Sequence, residues 1–254
     1  MKGLIWLRSD LRIDDNPALS NAIKQCEEII AIYIFSELQW KLHNESNIKH
    51  EFLIDNLNIL EKSLEKLNIP LIALNTKSFE TLPEDLCSFA TKQNIDHIFW
   101  NNEFGFNESK RDLAVIESSK KIDIKISRYN DQVIYEPGFL RTGQGNPFSV
   151  FTPFKRRWIE NFDMNFLDIV QPNIAKKPTQ VKSDLSNLQF IKTHSANIEL
   201  WPAGEDAAQE KLASFLQLKA NSYSESRNSP IIDGTSRISP YLALGILSPK
   251  RCIL

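Results

Sequence analysis

The segment Asp233-Gly234-Thr235-Ser236-Arg237-Ile238-Ser239-Pro240 packs three hydroxyls and a guanidinium between a glycine and a proline, immediately before the apolar run Tyr241-Leu242-Ala243-Leu244. That is the composition of a loop feeding a helix N-terminus, where free backbone N–H groups and the positive end of the helix dipole attract phosphate. Hydroxyls add donors, and Arg237 can add a forked pair of charge-assisted bonds. The same residues would also serve as a plain Ser/Thr cap that starts a helix. The cysteines and histidines carry no such pattern. Cys26, Cys87 and Cys252 are odd in number and far apart, with no CxxC pair, which fits a reduced cytosolic protein better than a disulfide framework or a zinc site. His43, His50, His97 and His194 form no ligand-spaced group, so no metal is expected.

Hydrophobic residues make up 42% of the 254 and charged ones 24%, as in a folded soluble protein long enough to bury a sizeable core. The net charge of −2 argues against a general basic coat, but the charge is uneven. Between Arg141 and Lys182 seven Lys/Arg stand against three Asp/Glu, and between Lys219 and Leu254 five stand against two. A polyanion would therefore meet the second half of the chain, the alternative being an unevenly charged solvated surface. The N-terminus runs into charge too soon for a signal peptide, and no apolar run approaches membrane-spanning length, so a cytoplasmic location with no membrane partner is expected.

The elements that must position these residues alternate. Leu4–Arg8, Ile29–Phe35, Pro70–Leu74 and His97–Trp100 read as strands, and Ile124–Ser127 with Val133–Tyr135 as further strand. Helical patterns cover Asn16–Lys24, the stripe Leu53, Leu57, Leu60, Leu64 and Leu67, then Glu84–Gln93 and Glu108–Lys120. Such alternation predicts a parallel sheet with helices on both faces over residues 1–136, and its ligands belong at the C-terminal strand ends. Those ends carry Arg8-Ser9-Asp10, Ser36-Glu37 and Asn101-Asn102-Glu103. The GxGxxG fingerprint is absent. Residues 137–200, rich in Gly, Pro and polar runs, read as a connector with a short helix at Pro153–Phe162. Helical spacing resumes at Ala208, Leu212, Phe215 and Leu216, so residues 201–254 are expected to begin a helical domain, with Tyr241–Leu247 as its next helix.

Three segments together resemble the DNA photolyase and cryptochrome family. Trp6-Leu7-Arg8-Ser9-Asp10-Leu11-Arg12-Ile13-Asp14-Asp15-Asn16-Pro17-Ala18-Leu19 is similar to its opening signature, with Leu7 for the usual Phe. Phe151-Thr152-Pro153-Phe154-Lys155 with Trp158 resembles its connecting segment. Tyr223, Arg227 and Asp233–Gly245 resemble the entry to its flavin domain, with Ile238 for the usual Leu. The likeness is greatest to class I bacterial enzymes that repair cyclobutane pyrimidine dimers.

The resemblance implies a Rossmann-like five-stranded antenna domain (1–136), a long connector (137–200) and the start of an all-α FAD-binding domain (201–254). It implies FAD contacts by Tyr223, Thr235, Ser236, Arg237, Ile238 and Ser239, and a DNA-backbone contact by Arg227. Asn107, Glu108 and His43 would meet a 5,10-methenyltetrahydrofolate antenna; Asn107-Glu108 also reads as a helix start, with an N-cap side chain and an acidic first turn. Arg8, Asp10, Arg12 and Asp15 read as an internal salt-bridge cluster. Trp6, Trp40, Trp100, Trp158 and Trp201 are expected in core packing or sheet-edge burial. The implied activity is light-driven repair of pyrimidine dimers in damaged DNA by a monomer. Its reacting residues are expected beyond Leu254, so the chain is read as truncated and inactive alone. A cryptochrome-type photoreceptor and a stand-alone α/β module binding a pterin or nucleotide remain as alternatives.

Overall fold

The computed structural model describes residues 1–188 and 198–254; His194 lies outside them. Five parallel strands, β1 (Lys2–Leu7), β2 (Glu28–Phe35), β3 (Leu71–Asn75), β4 (His97–Asn101) and β5 (Lys125–Tyr129), lie in the order β3-β2-β1-β4-β5. Strand order reverses between β1 and β4, which opens a crevice at their carboxyl ends. The apolar runs are continuous because both faces are covered. Ile5, Leu7, Ile29, Ala31 and Phe99 face one core with α1 (Pro17–Gln25) and α3 (Asn47–Glu65), while Leu4, Trp6, Ile30, Ile32, Ile98 and Trp100 face the other with α4 (Leu82–Lys92) and α5 (Phe106–Lys120). At one sheet edge Asp184 exchanges backbone hydrogen bonds with β3, so the connector covers the strand the sheet leaves open.

The connector carries α6 (Phe151–Glu160), and the C-terminal segment carries α7 (Glu205–Leu218), α8 (Tyr223–Ser226) and α9 (Ser239–Ala243). Ala208 and Leu212 of α7 join the α1/α3 core with Tyr241, Leu244, Ile246 and Leu247. Tyr241 stacks edge-on against Phe52 at 5.4 Å and donates its hydroxyl to the Pro202 carbonyl at 2.8 Å. Each fully buried aliphatic side chain of this kind contributes about 1.5–3 kcal/mol.

Three sequence expectations need correction. Val133–Tyr135 is not strand: Tyr135 leaves the sheet to pack on Trp158 and Phe139 and to hydrogen-bond the Asn161 carbonyl. The helix expected over Tyr241–Leu247 is α9, which ends at Ala243 because Gly245, at φ 64°, turns the chain. A short helix, α2 (Glu37–Leu42), stands after β2 where no helix was expected; Ser36 caps it by accepting from the Gln39 N–H.

Candidate functional site

The loop after β1 organises both ends of the chain. Arg8 donates from Nη1 to both Asp112 oxygens at 2.7 and 2.8 Å and from Nη2 to the Asn101 carbonyl. Asn101 in turn donates to Asp10 at 2.6 Å and to Asn16 at 2.8 Å. Burial pushes the Asp10 carboxyl up, against the pull of Arg8 and Arg12. Arg12, 1% exposed, pairs with Asp131 and donates to the carbonyls of Asp14, Asp15 and Gly245. Asp15 receives the Ser248 hydroxyl, and Asp14 is held by Arg251 at 2.7 Å. Glu205, in the first turn of α7, accepts from the Ile13 and Asp14 N–H groups at 2.8 and 3.0 Å. The patterned charges are buried as read from the sequence, but their ion pairs run to Asp112, Glu103, Asp131 and Lys250 and not to one another, and they tie the C-terminal segment to the sheet.

A cleft enclosing about 200 Å³ opens at the carboxyl ends of β1 and β2. Trp6, Arg8 and Ser9 line it from β1 and Tyr33 to Ser36 from β2; Gln39, Trp40 and His43 enter from α2, Glu103 from the end of β4, and Glu108 and Arg111 from α5. His43 and Glu108 therefore meet in one cleft, while Asn107, exposed one residue earlier, is not among its lining residues. The cap of α5 is Gly105, not Asn107; Glu108 sits at the third helical position, its carboxylate folded back over Gly105. Gln39 lies 2.9 Å from the His43 ring nitrogen across one turn of α2, and the left-handed Asn44 at φ 51° turns the chain behind it. Burial pushes the Glu103 carboxyl up, but Arg8, Arg111 and the Ser9 hydroxyl outweigh it and hold it below its ordinary value. Burial, with Glu103 and Glu45, pushes the Tyr33 phenol up. A ringed ligand with amino and N–H donors would find carboxylate acceptors at Glu103 and Glu108 and aromatic walls at Trp6 and Trp40.

The hydroxyl-rich loop lies apart, beside α8. Gly234 is required because a Cβ there would collide with the Ser226 side chain, and this close approach brings the loop onto the turn carrying Tyr223 and Arg227. Among the described residues, the hydroxyls of Thr235, Ser236 and Ser239 and the backbone N–H groups from Thr235 to Ser239 find no hydrogen-bond partner. The plain-cap alternative is not realised: Ile238 stands at the cap of the five-residue α9 and no side chain caps it. Arg237 adopts φ 53°, a left-handed conformation that costs roughly 1–3 kcal/mol outside glycine. Its carbonyl accepts from Trp201 at 2.8 Å and its guanidinium meets Asp233 at 2.9 Å, where Lys219 also binds at 2.7 Å. Two cations thus share one carboxylate beside a row of free donors, which fits a diphosphate. Tyr223 packs edge-on against Phe215, and the Arg227 guanidinium lies 5.8 Å from the Tyr223 ring with no ion pair among the described residues.

The sequence profile of the DNA photolyase family matches residues 3–179. The chain belongs to the DNA photolyase family. It is 31% identical over 252 residues to the deoxyribodipyrimidine photo-lyase of Salmonella typhimurium, covering 98% of this chain and 53% of that one. Against the Escherichia coli deoxyribodipyrimidine photo-lyase it is 31% identical over 251 residues, with 98% and 53% covered. In structure it resembles a bacterial class III photolyase from Agrobacterium tumefaciens, with TM-score 0.83, 27% identity and 99% and 52% of the chains covered. An archaeal photolyase from Sulfolobus tokodaii, solved with two FAD molecules, shares the fold at TM-score 0.78, 20% identity, and 99% and 54% coverage. The chain spans about half the length of the curated relatives it matches. Within this photolyase-family chain, no helix among the described residues is long and apolar enough to cross a membrane, and no group of His, Cys, Asp or Glu there could hold a metal.

Sequence reasoning missed Trp6, Tyr33, Glu45, Lys49 and Arg111 as lining residues of the cleft. Arg111 sits in the run Glu108-Ser109-Lys110-Arg111-Asp112, which reads as a solvated helix face, yet Arg111 and Asp112 are buried. The one usable signal was the position of Arg8 and Glu103 at strand ends, which need partners of opposite charge once buried.

Proposed function

We propose that this chain is the light-harvesting and diphosphate-gripping portion of a deoxyribodipyrimidine photo-lyase, a carbon-carbon lyase that repairs cyclobutane pyrimidine dimers. The observation that carries the reading is the meeting of His43 and Glu108 at one cleft on the carboxyl ends of the strands. Glu108 would accept from the amino and ring N–H groups of a 5,10-methenyltetrahydrofolate, His43 would close the rim, and Asn107 would contact it from the exposed turn. The loop Thr235, Ser236, Arg237, Ile238 and Ser239 would grip the diphosphate and ribityl arm of FAD, with Tyr223 packed alongside. When bound, the folate supplies near-ultraviolet absorption and the reduced flavin supplies the electron that splits the dimer. Arg227, exposed and without an ion pair among the described residues, would neutralise a DNA phosphate, which gives affinity without reading sequence. Lesions are then found by the low cost of flipping a damaged, poorly stacked site.

Residues 201–254 would form one edge of a flavin site, and within them Ile231 is 96% and Leu218 75% exposed. The chain by itself is therefore expected to hold the folate, to bind FAD weakly and not to repair DNA. It is expected to be a cytoplasmic monomer. The test is a pair of equilibrium titrations of the 254-residue chain with the folate and with FAD. Saturable folate binding with weak flavin binding supports the reading; failure to retain folate, or stoichiometric flavin in the purified chain, contradicts it.

A further inference from the structure

Trp6 lines the cleft and is 1% exposed. Indole gives up an electron without losing its proton more readily than the other aromatic side chains do, and an excited heteroaromatic ligand against it is an electron acceptor. In that unproductive step one electron would leave the Trp6 ring for the excited ligand, giving an indole radical cation and a ligand reduced by one electron. Absorbed light would then be dissipated by charge recombination instead of being passed on.

Two features of the site oppose this step. The Arg8 guanidinium carbon lies 4.6 Å and that of Arg111 4.8 Å from the centre of the Trp6 ring, and Arg8 also lies 5.7 Å from the ring of Trp100. A neutral indole attracts such cations through its quadrupole, whereas an oxidised one would be repelled by both in a buried setting. Asp112 at 2.7 Å from Arg8 and Glu103 at 2.9 Å from Arg111 bind the guanidinium N–H edges and hold the cations in place. The second feature is the indole proton. The Nε1 atoms of Trp6 and of its edge-on neighbour Trp100, 5.5 Å away, are buried with no acceptor among the described residues. An oxidised Trp6 could neither shed its proton nor pass the charge to a better-placed ring.

We propose that Arg8 and Arg111 make Trp6 a redox-silent wall of the cleft, so that a chromophore held there does not lose its excited state to that ring. This rests on the chromophore reading of the cleft given above; within it, Arg8 and Arg111 are positioning residues that act through Trp6.

The test is the fluorescence lifetime of 5,10-methenyltetrahydrofolate bound to four forms of the chain: wild type, Trp6→Phe, the charge-balanced pair Arg111→Met with Glu103→Gln, and all three together. Wild type and Trp6→Phe should give the same lifetime, the charge-balanced pair a lifetime shortened about twofold or more by the unguarded ring, and the triple variant the wild-type value again. A longer lifetime in Trp6→Phe alone, or an unchanged one in the charge-balanced pair, overturns the proposal. If that pair retains no ligand, Arg8→Met with Asp112→Asn takes its place: a shortened lifetime upholds the proposal and an unchanged one overturns it. If wild type retains no near-ultraviolet band, the chromophore reading fails and carries this inference with it.

Discussion

Arg12 donates from Nη1 to the carbonyl of Gly245 at 2.9 Å, joining two residues 233 positions apart. The Leu11 N–H donates to the neighbouring Leu244 carbonyl at 3.1 Å, so the opening signature and the end of the hydroxyl-rich segment dock backbone to backbone. Two of the three motifs that carry the family resemblance therefore form one physical joint.

Gly245 permits that joint. It sits at φ 64°, and a Cβ would collide with the Ser9 carbonyl, a backbone atom that cannot swing aside. Gly245→Ala should destabilise the chain by about 2–4 kcal/mol, combining left-handed strain with displacement of the C-terminal segment. Urea unfolding measures the loss, and a change under about 0.5 kcal/mol would show that the segment is not docked as described.

Arg12 tests the same joint from the other side. A lysine would keep the charge but cannot reach the carbonyls of Asp14, Asp15 and Gly245 and the Asp131 carboxylate together. Arg12→Lys should cost about 2–3 kcal/mol in the same assay, because buried acceptors are left without donors.

Glu108 is half-buried and, among the described residues, makes no ion pair, so its loss should be felt by a ligand more than by stability. Glu108→Ala should weaken folate binding about tenfold or more, the value of one or two hydrogen bonds to a charged acceptor, with the melting temperature little changed. Absorbance titration reads the first and thermal unfolding the second.

His97 sets a pH dependence. It is buried, stacked on Phe99 at 4.0 Å and hydrogen-bonded to Ser127 at 2.9 Å. Burial, with Lys125 nearby, pulls its pKa below the ordinary 6.5. The unfolded chain therefore takes up the proton first, and the His97 contribution, full above pH 6.5, is lost as pH falls from there through the folded pKa. His97→Gln should be less sensitive than wild type to acidification across that window, as read by melting temperature against pH.

Much of the sheet was legible because each strand is short, apolar and followed by a helical stripe; β2 and β4 were placed within a residue or two. Val133–Tyr135 was misplaced because periodicity alone cannot tell a strand from an extended segment whose aromatic ring is captured by Trp158. The short α2 was invisible for a different reason: six residues with no buried side chain carry no hydrophobic stripe, and only the Ser36 cap marks its start. At the site, His43 and Glu108 came from motif resemblance, and the loop from Thr235 to Ser239 first from its hydroxyl-rich composition. Trp6, Tyr33 and Arg111 reach the cleft only through the packing of β1, β2 and α5, which no local pattern records.

The most direct measurement is a crystal structure of the 254-residue chain soaked with 5,10-methenyltetrahydrofolate. Pterin density in the cleft, within hydrogen-bonding distance of the Glu108 carboxylate and against the His43 ring, is the predicted result. Density bound elsewhere while the cleft stays open would contradict the account.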